Sequence, residues 1–165
     1  MKFLAVDYGQ KRIGLAIGSM FPKALGTVLY NGDSDTVIQE IISKVDDEVA
    51  GVVVGIPYLE SGDEGRIGSE IREFAMKLAQ AMNTKLYFEP EQYSSLESLR
   101  LMSEQGTPSP KKHVDEGAAC IILEQFLGRV EAEGIENLMP AWEPFDNTSS
   151  SAEATADRQG RPGDK

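Results

Sequence analysis

KFLAVDYGQKRIGLAIGS, residues 2–19, places two short apolar or β-branched runs, Lys2–Asp7 and Arg12–Ser19, on either side of the turn-like Tyr8-Gly9-Gln10-Lys11. This pattern predicts a β-hairpin. In the second run Gly14, Ala16 and Gly18 share one face and Ile13, Leu15 and Ile17 the other. The small-residue face lets a helix or a substrate come close to the backbone. In the first run Asp7 is in register with Phe3 and Ala5, at the end of an otherwise buried strand. An ionised carboxylate there is costly unless it is paired or coordinates a cation. The alternative is an aspartate that only opens the turn.

Working outward, Ala24–Tyr30 continues as a third strand and Asn31-Gly32 ends it. Val37, Ile38, Ile41, Ile42, Val45 and Val49 follow a helical period, which predicts a helix over Ser34–Val49. Gly51–Ile56 (GVVVGI) reads as a strand buried on both faces, as in a parallel sheet. Ile67, Ile71, Phe74, Ala75, Leu78 and Met82 form one helical stripe, and Lys85–Glu89 is the following strand. Ser94 and Glu97 have capping-box spacing and open a helix to about Glu104, which Gly106 and Pro108 break. Ser109-Pro110 starts a last helix that ends near Gly128. The order β-β-β-α-β-α-β-α-α joins an antiparallel meander to parallel crossovers. It predicts an α/β fold with a mixed sheet and helices on both faces.

With 165 residues, the chain suits one ordinary domain with a single core. The expected division is a domain over 1–130, a partly docked extension over 131–146 and a disordered tail over 147–165, which holds no Val, Ile, Leu, Met or aromatic residue. The net charge of −11 argues against nonspecific wrapping of nucleic acid. Residues 1–130 carry 13 Lys+Arg against 19 Asp+Glu, and the last 35 carry 3 against 8, so nearly half of the excess lies outside the domain. The single cysteine, Cys120, excludes an internal disulfide and a cysteine zinc site and reads as inert core. No run is long enough to span a membrane, and an acid follows the first apolar residues too early for a signal peptide. The expectation is a soluble cytoplasmic protein.

Glu91 follows the strand Leu86-Tyr87-Phe88 at the carboxyl end, where sites gather in α/β sheets. Glu89 competes for the role, and a solvated loop carboxylate is the plain alternative. Asp115 precedes Ala119 and Ile122 by four and seven residues on an apolar helix, so it lies on or beside the buried stripe. Its plain alternative is an interaction with the helix dipole. Together Asp7, Glu91 and Asp115 make a hard, oxygen-rich set suited to Mg²⁺ or Mn²⁺, which supports phosphodiester cleavage. Lys11 and Arg12, Arg66 and Arg72, and Lys111 and Lys112 are candidate phosphate contacts or ordinary solvated surface. His113 has no partner identifiable by spacing. No GxSxG, P-loop or GxGxxG sequence is present, which removes the usual support for triad, NTPase and dinucleotide readings.

Residues 5–16 (AVDYGQKRIGLA), 53–57 (VVGIP), 72–75 (REFA) and 111–115 (KKHVD) with Ala118-Ala119 closely resemble the YqgF (RuvX) family. Its members carry the names Holliday-junction resolvase and pre-16S rRNA nuclease. The resemblance spans roughly residues 1–130. It implies a ribonuclease H-like mixed five-stranded sheet and a metal-dependent nuclease site, with the family's first acid on Asp7 and its last on Asp115. The middle acid falls on Glu91, within Pro90-Glu91-Gln92-Tyr93-Ser94-Ser95. There the family's flanking Asp and Arg are replaced by Pro90 and Gln92, and the absence of that Arg removes a bidentate phosphate donor.

The leading expectation is a Mg²⁺- or Mn²⁺-dependent nuclease acting on structured nucleic acid, for which the resemblance favours the 5′ end of pre-16S rRNA over a DNA junction. Alternatives are a resolvase of branched DNA, which requires a homodimer, and a noncatalytic binding module of ribosomal precursor particles. A monomer or a homodimer fits the first.

Overall fold

The computed structural model describes residues 1–57, 65–91 and 112–145, with the backbone alone at 112–116. The elements run β1 (Phe3–Tyr8), β2 (Arg12–Gly18), β3 (Lys23–Leu29), α1 (Ser34–Lys44), β4 (Gly51–Pro57), α2 (Gly65–Met82), β5 (Lys85–Glu91) and α3 (Lys112–Glu133), then a short 3₁₀ turn (Ile135–Asn137). The sheet order is β3-β2-β1-β4-β5. β2 pairs antiparallel with β1 and with β3, whereas β1–β4 and β4–β5 are parallel. The predicted mixed sheet is thus present, with the hairpin at its centre.

Strand alternation sends the two sides of the sheet to different helices. Leu4, Val6, Ile13, Leu15, Val52, Val54 and Leu86 pack with Val37, Ile38 and Ile41 of α1 and Ile71, Phe74 and Leu78 of α2. Phe3, Ala5, Ala16, Val53 and Tyr87 pack with Ala119, Ile122, Leu123 and Phe126 of α3. On that second side Phe3, Tyr87 and Phe126 meet at centroid distances of 5.0–6.2 Å. Ala5 and Ala16 provide the close approach that the small-residue face predicts.

Three element ends differ from expectation by two residues or more. α1 ends at Lys44 rather than Val49, because extending it would add Asp46, Asp47 and Glu48 at the negative end of the helix dipole. Val45 and Val49 still pack against the core, but from extended chain. α3 continues through Gly128 to Glu133 and stops where Gly134 takes φ 84° and donates its N–H to the Val130 carbonyl at 2.9 Å. β5 runs two residues past Glu89, through Pro90 to Glu91, which an edge strand allows. The helix expected over Ser94–Glu104 and the tail 147–165 lie outside the described residues.

The outer edge of β5 is partly covered. Leu86 donates its N–H to the Trp142 carbonyl at 2.8 Å and accepts from Ala141 N–H at 2.7 Å. Pairing of this kind blunts an exposed strand edge.

The start of α1 gives a pH prediction. The Asp33 carboxylate caps the helix, accepting from the backbone N–H groups of Asp35 and Thr36 and from the Thr36 hydroxyl at 2.6 Å. The hydrogen bonds from Thr36 hold its pKa below 3.8. A lowered carboxylate pKa contributes stability above the unfolded pKa that is lost as pH falls through the folded value. Asp33→Ala will therefore lower the melting temperature at pH 7, and the difference from wild type will shrink as pH falls below about 3.8.

Candidate active site

Asp7 and Glu91 lie at the same end of the sheet, on the face covered by α3. Asp7 pairs with Gly14 across the hairpin, and Gly14 has no side chain to crowd it. The β1–β4 register runs to Val6–Val54, and one residue further it sets Asp7 beside Gly55. Gly55 in turn pairs with Glu89, and Pro57 with Glu91. Asp7, Gly55, Glu89 and Glu91 thus share one face by strand alternation.

Gly55 decides where the Glu91 carboxylate sits. A Cβ placed on Gly55 would overlap Glu91 Oε1 and stand 3.0 Å from Glu91 Cδ and 2.6 Å from Ile122 Cδ1. The Glu91 side chain therefore folds back along β5 over Gly55, into the row that Asp7 occupies. Neighbouring strands are about 4.8 Å apart, so this brings the Glu91 carboxylate to within one strand of Asp7. Both residues are half-buried, neither sealed in the core nor fully in water.

The competing carboxylate has a different environment. Glu89 is 6% exposed and its Oε2 lies 2.9 Å from an Arg129 guanidinium nitrogen of α3. Burial raises its pKa above the ordinary carboxylate value, opposed by the Arg129 charge. Of the two glutamates, Glu91 is the one seated beside Asp7.

Asp115 lies on α3 at the expected position, four residues before the buried Ala119 and seven before the buried Ile122 that touches the Gly55 slot. Its side chain lies outside the described residues. Among the described residues no group of three His, Cys, Asp or Glu side chains is gathered. Asp7 and Glu91 supply only oxygen donors, and the bare Cα of Gly55 leaves room for a carboxylate above it. This chemistry fits Mg²⁺ or Mn²⁺ and does not fit a soft metal.

The basic residues divide. Lys11 and Arg12 are exposed in the hairpin beside Asp7, and Arg12 alternates with Gly14 onto the acidic face. Arg66 and Arg72 belong to α2, across the sheet: the Arg66 side chain is 93% exposed and 3.4 Å from Glu70, and the Arg72 guanidinium stacks 4.7 Å over Phe88. They are not brought to the acids. Lys111 lies outside the described residues, and Lys112 is placed only as the first residue of α3. On the α2 side, a cavity of about 400 Å³ is lined by Tyr8, Tyr30, Phe74, Glu70, Glu73 and Lys77. There Glu73 is 3.5 Å from Lys77 and Glu70 is 3.4 Å from Arg66, whereas Arg12 stands on the acidic side.

Sequence reasoning missed Gly55, Ile122 and Arg129. For Gly55 there was a signal, since a glycine inside a valine-rich strand marks a close approach. For Arg129 there was none, because its partner is 40 residues away on another element.

A central hairpin in a mixed five-stranded sheet, with two carboxylates under a crossing helix, defines a ribonuclease H-like protein with an acidic site. Residues 1–129 match the RuvX family, described as Holliday junction resolvase, and the chain belongs to that family. A relative from Oleidesulfovibrio alaskensis named "Putative pre-16S rRNA nuclease" is 35% identical over 139 residues, covering 79% of this chain and 94% of the relative. One of the same name from Coxiella burnetii is 34% identical over 127 residues, covering 75% and 90%. The fold resembles Thermus thermophilus RuvC in complex with a Holliday junction substrate, with TM-score 0.55, 13% identity, and coverage of 85% of this chain and 99% of that one.

Proposed function

We propose that this chain is a Mg²⁺- or Mn²⁺-dependent nuclease that hydrolyses phosphodiester bonds in structured RNA, at the 5′ end of pre-16S rRNA. The observation that carries this reading is the Glu91 carboxylate seated over Gly55 in the row of Asp7. Asp7 and Glu91 hold the cation, with Asp115 as third ligand from α3. When bound, the cation supplies an activated water and stabilises the leaving oxygen. Arg12 and Lys11 neutralise the phosphates next to the scissile bond, and Lys111 and Lys112 those farther along the strand.

Residues 1–130 act as the nuclease domain. The relatives' names favour ribosomal precursor RNA as the substrate; in this reading a monomer or a homodimer acts on it in the cytoplasm. The deciding experiment offers the full chain a 16S precursor leader RNA and a four-way DNA junction, each with Mn²⁺ or EDTA. Metal-dependent cleavage of the RNA alone is expected. Preferential junction cutting would make it a resolvase, and RNA binding with no cleavage would make it a noncatalytic assembly module.

The role of the hairpin cations has its own test. Removing one side chain that neutralises a phosphate reduces the slope of log K against log salt by about 0.7–0.9. Lys11→Ala and Arg12→Ala will therefore each weaken RNA binding and flatten that slope by about one unit. An unchanged slope would remove these residues from the interface.

A further inference from the structure

Glu89 is a nine-tenths-buried carboxylate that the proposed chemistry does not use, and Arg129 is the cation set against it. We propose that Glu89 and Arg129 form a positioning clamp that fixes the end of β5 against α3, so that the Glu91 carboxylate stays over Gly55. The inference rests on the reading of Asp7 and Glu91 as cation ligands.

Glu89 and Glu91 are one pleat apart on the same face of β5, and the elements that hold them are both on α3. Ile122 Cδ1 borders the slot over Gly55 that Glu91 fills, and Arg129, two turns further along the helix, reaches Glu89 at 2.9 Å. The last pleat of β5 is thus fixed to the helix at two heights. Such a hold adds to the β4 ladder on an edge strand whose outer cover, among the described residues, bonds to Leu86, five residues before Glu91. Moreover, Pro90 sits between the two glutamates and removes a backbone N–H from the strand end. The β4 ladder holds the backbone of this pleat through Gly55–Glu89 and Pro57–Glu91, and the Glu89–Arg129 tie adds a side-chain restraint to the helix. Arg suits this task because its planar guanidinium keeps a fixed orientation toward a carboxylate where an ammonium would not.

The test is Mn²⁺ binding to the full-length protein by titration calorimetry, read beside the melting temperature, in wild type, Asp7→Asn, Arg129→Met, Arg129→Lys and Glu89→Gln/Arg129→Met. Groups that orient metal ligands typically change affinity by about 10–100-fold. Arg129→Met is expected to weaken Mn²⁺ binding by about 10-fold or more. The double variant leaves no buried charge stranded; it is expected to recover melting temperature while its Mn²⁺ affinity stays weak. Arg129→Lys is expected to fall between wild type and Arg129→Met, and if Arg129→Met does not fold, wild-type affinity in Arg129→Lys overturns the clamp. Unchanged affinity in Arg129→Met, or affinity recovered with stability in the double variant, means the pair only stabilises the fold and overturns the proposal. Tighter binding in Arg129→Met would show that Glu89, once freed, is itself a ligand, which also overturns it. If wild type shows no Mn²⁺ binding that depends on Asp7, the ligand reading fails first and the clamp with it.

Discussion

Asp7→Asn will abolish metal-dependent cleavage while leaving the metal-free protein folded. The substitution keeps the shape and removes one of two carboxylates that the β1–β4–β5 registers and the Gly55 slot set within one strand of each other. Without a cation those two charges repel each other across one strand spacing. With a cation the same pair is the attractive element. Charge stabilisation by a bound metal amounts to several kcal/mol of the barrier, and each 1.36 kcal/mol is tenfold in rate. A fall in cleavage of about 100-fold or more is the expected result, and Glu91→Gln should match it. The accompanying thermal scan separates this from damage to the fold. Mn²⁺ should raise the wild-type melting temperature through preferential binding to the native state, and should leave that of Asp7→Asn nearly unmoved. Cleavage at wild-type rate by a folded Asp7→Asn protein would remove the carboxylates from the chemistry.

Much of this arrangement is legible in the sequence, and the missing portion has one physical origin. The hairpin around Tyr8-Gly9-Gln10-Lys11, the buried run Gly51–Ile56 and the stripe from Ile71 to Leu78 are local patterns, set by periods of 2 and 3.6 residues, and the fold follows from their order. Asp7 stands out because a charge ending an apolar strand conflicts with its surroundings. Periodicity does not separate Glu89 from Glu91, since both lie on the same face of β5 and are distinguished by what approaches from elsewhere: Arg129 in one case, the bare Cα of Gly55 in the other. The end of α3 escapes local reading for the same reason. Gly128 carries the local signature of a stop, but flanking Leu127 and Val130 pack against the core and hold the helix together until Gly134.

Gly55→Ala, a single added methyl group on a residue with no side chain of its own to touch substrate, is expected to act almost as severely as loss of Glu91. The new Cβ would stand 2.6 Å from Ile122 Cδ1 and would overlap Glu91 Oε1. Neither neighbour can ignore it, and they differ in freedom to move. Ile122 is 1% exposed and locked in the α3 core, whereas Glu91 is half-buried and ends a strand. Glu91 should therefore yield and swing its carboxylate out of the Asp7 row, with the residual strain on Ile122 lowering stability. Inserting a methyl group into a packed site costs about 1–3 kcal/mol. Displacing a reacting group by about 1 Å can cost about 100-fold in rate. Cleavage should fall by about that factor, together with a lower melting temperature. Adding Ile122→Val removes the clashing Cδ1 and returns part of the stability, but it does nothing for the overlap with Glu91. Gly55→Ala/Ile122→Val should thus recover melting temperature without recovering cleavage, and in a Glu91→Gln background Gly55→Ala should cost little further activity, because both changes disable the same carboxylate. Joint recovery of stability and rate in the first double variant would mean that the glycine serves packing alone and that the Glu91 carboxylate does not need the space above it.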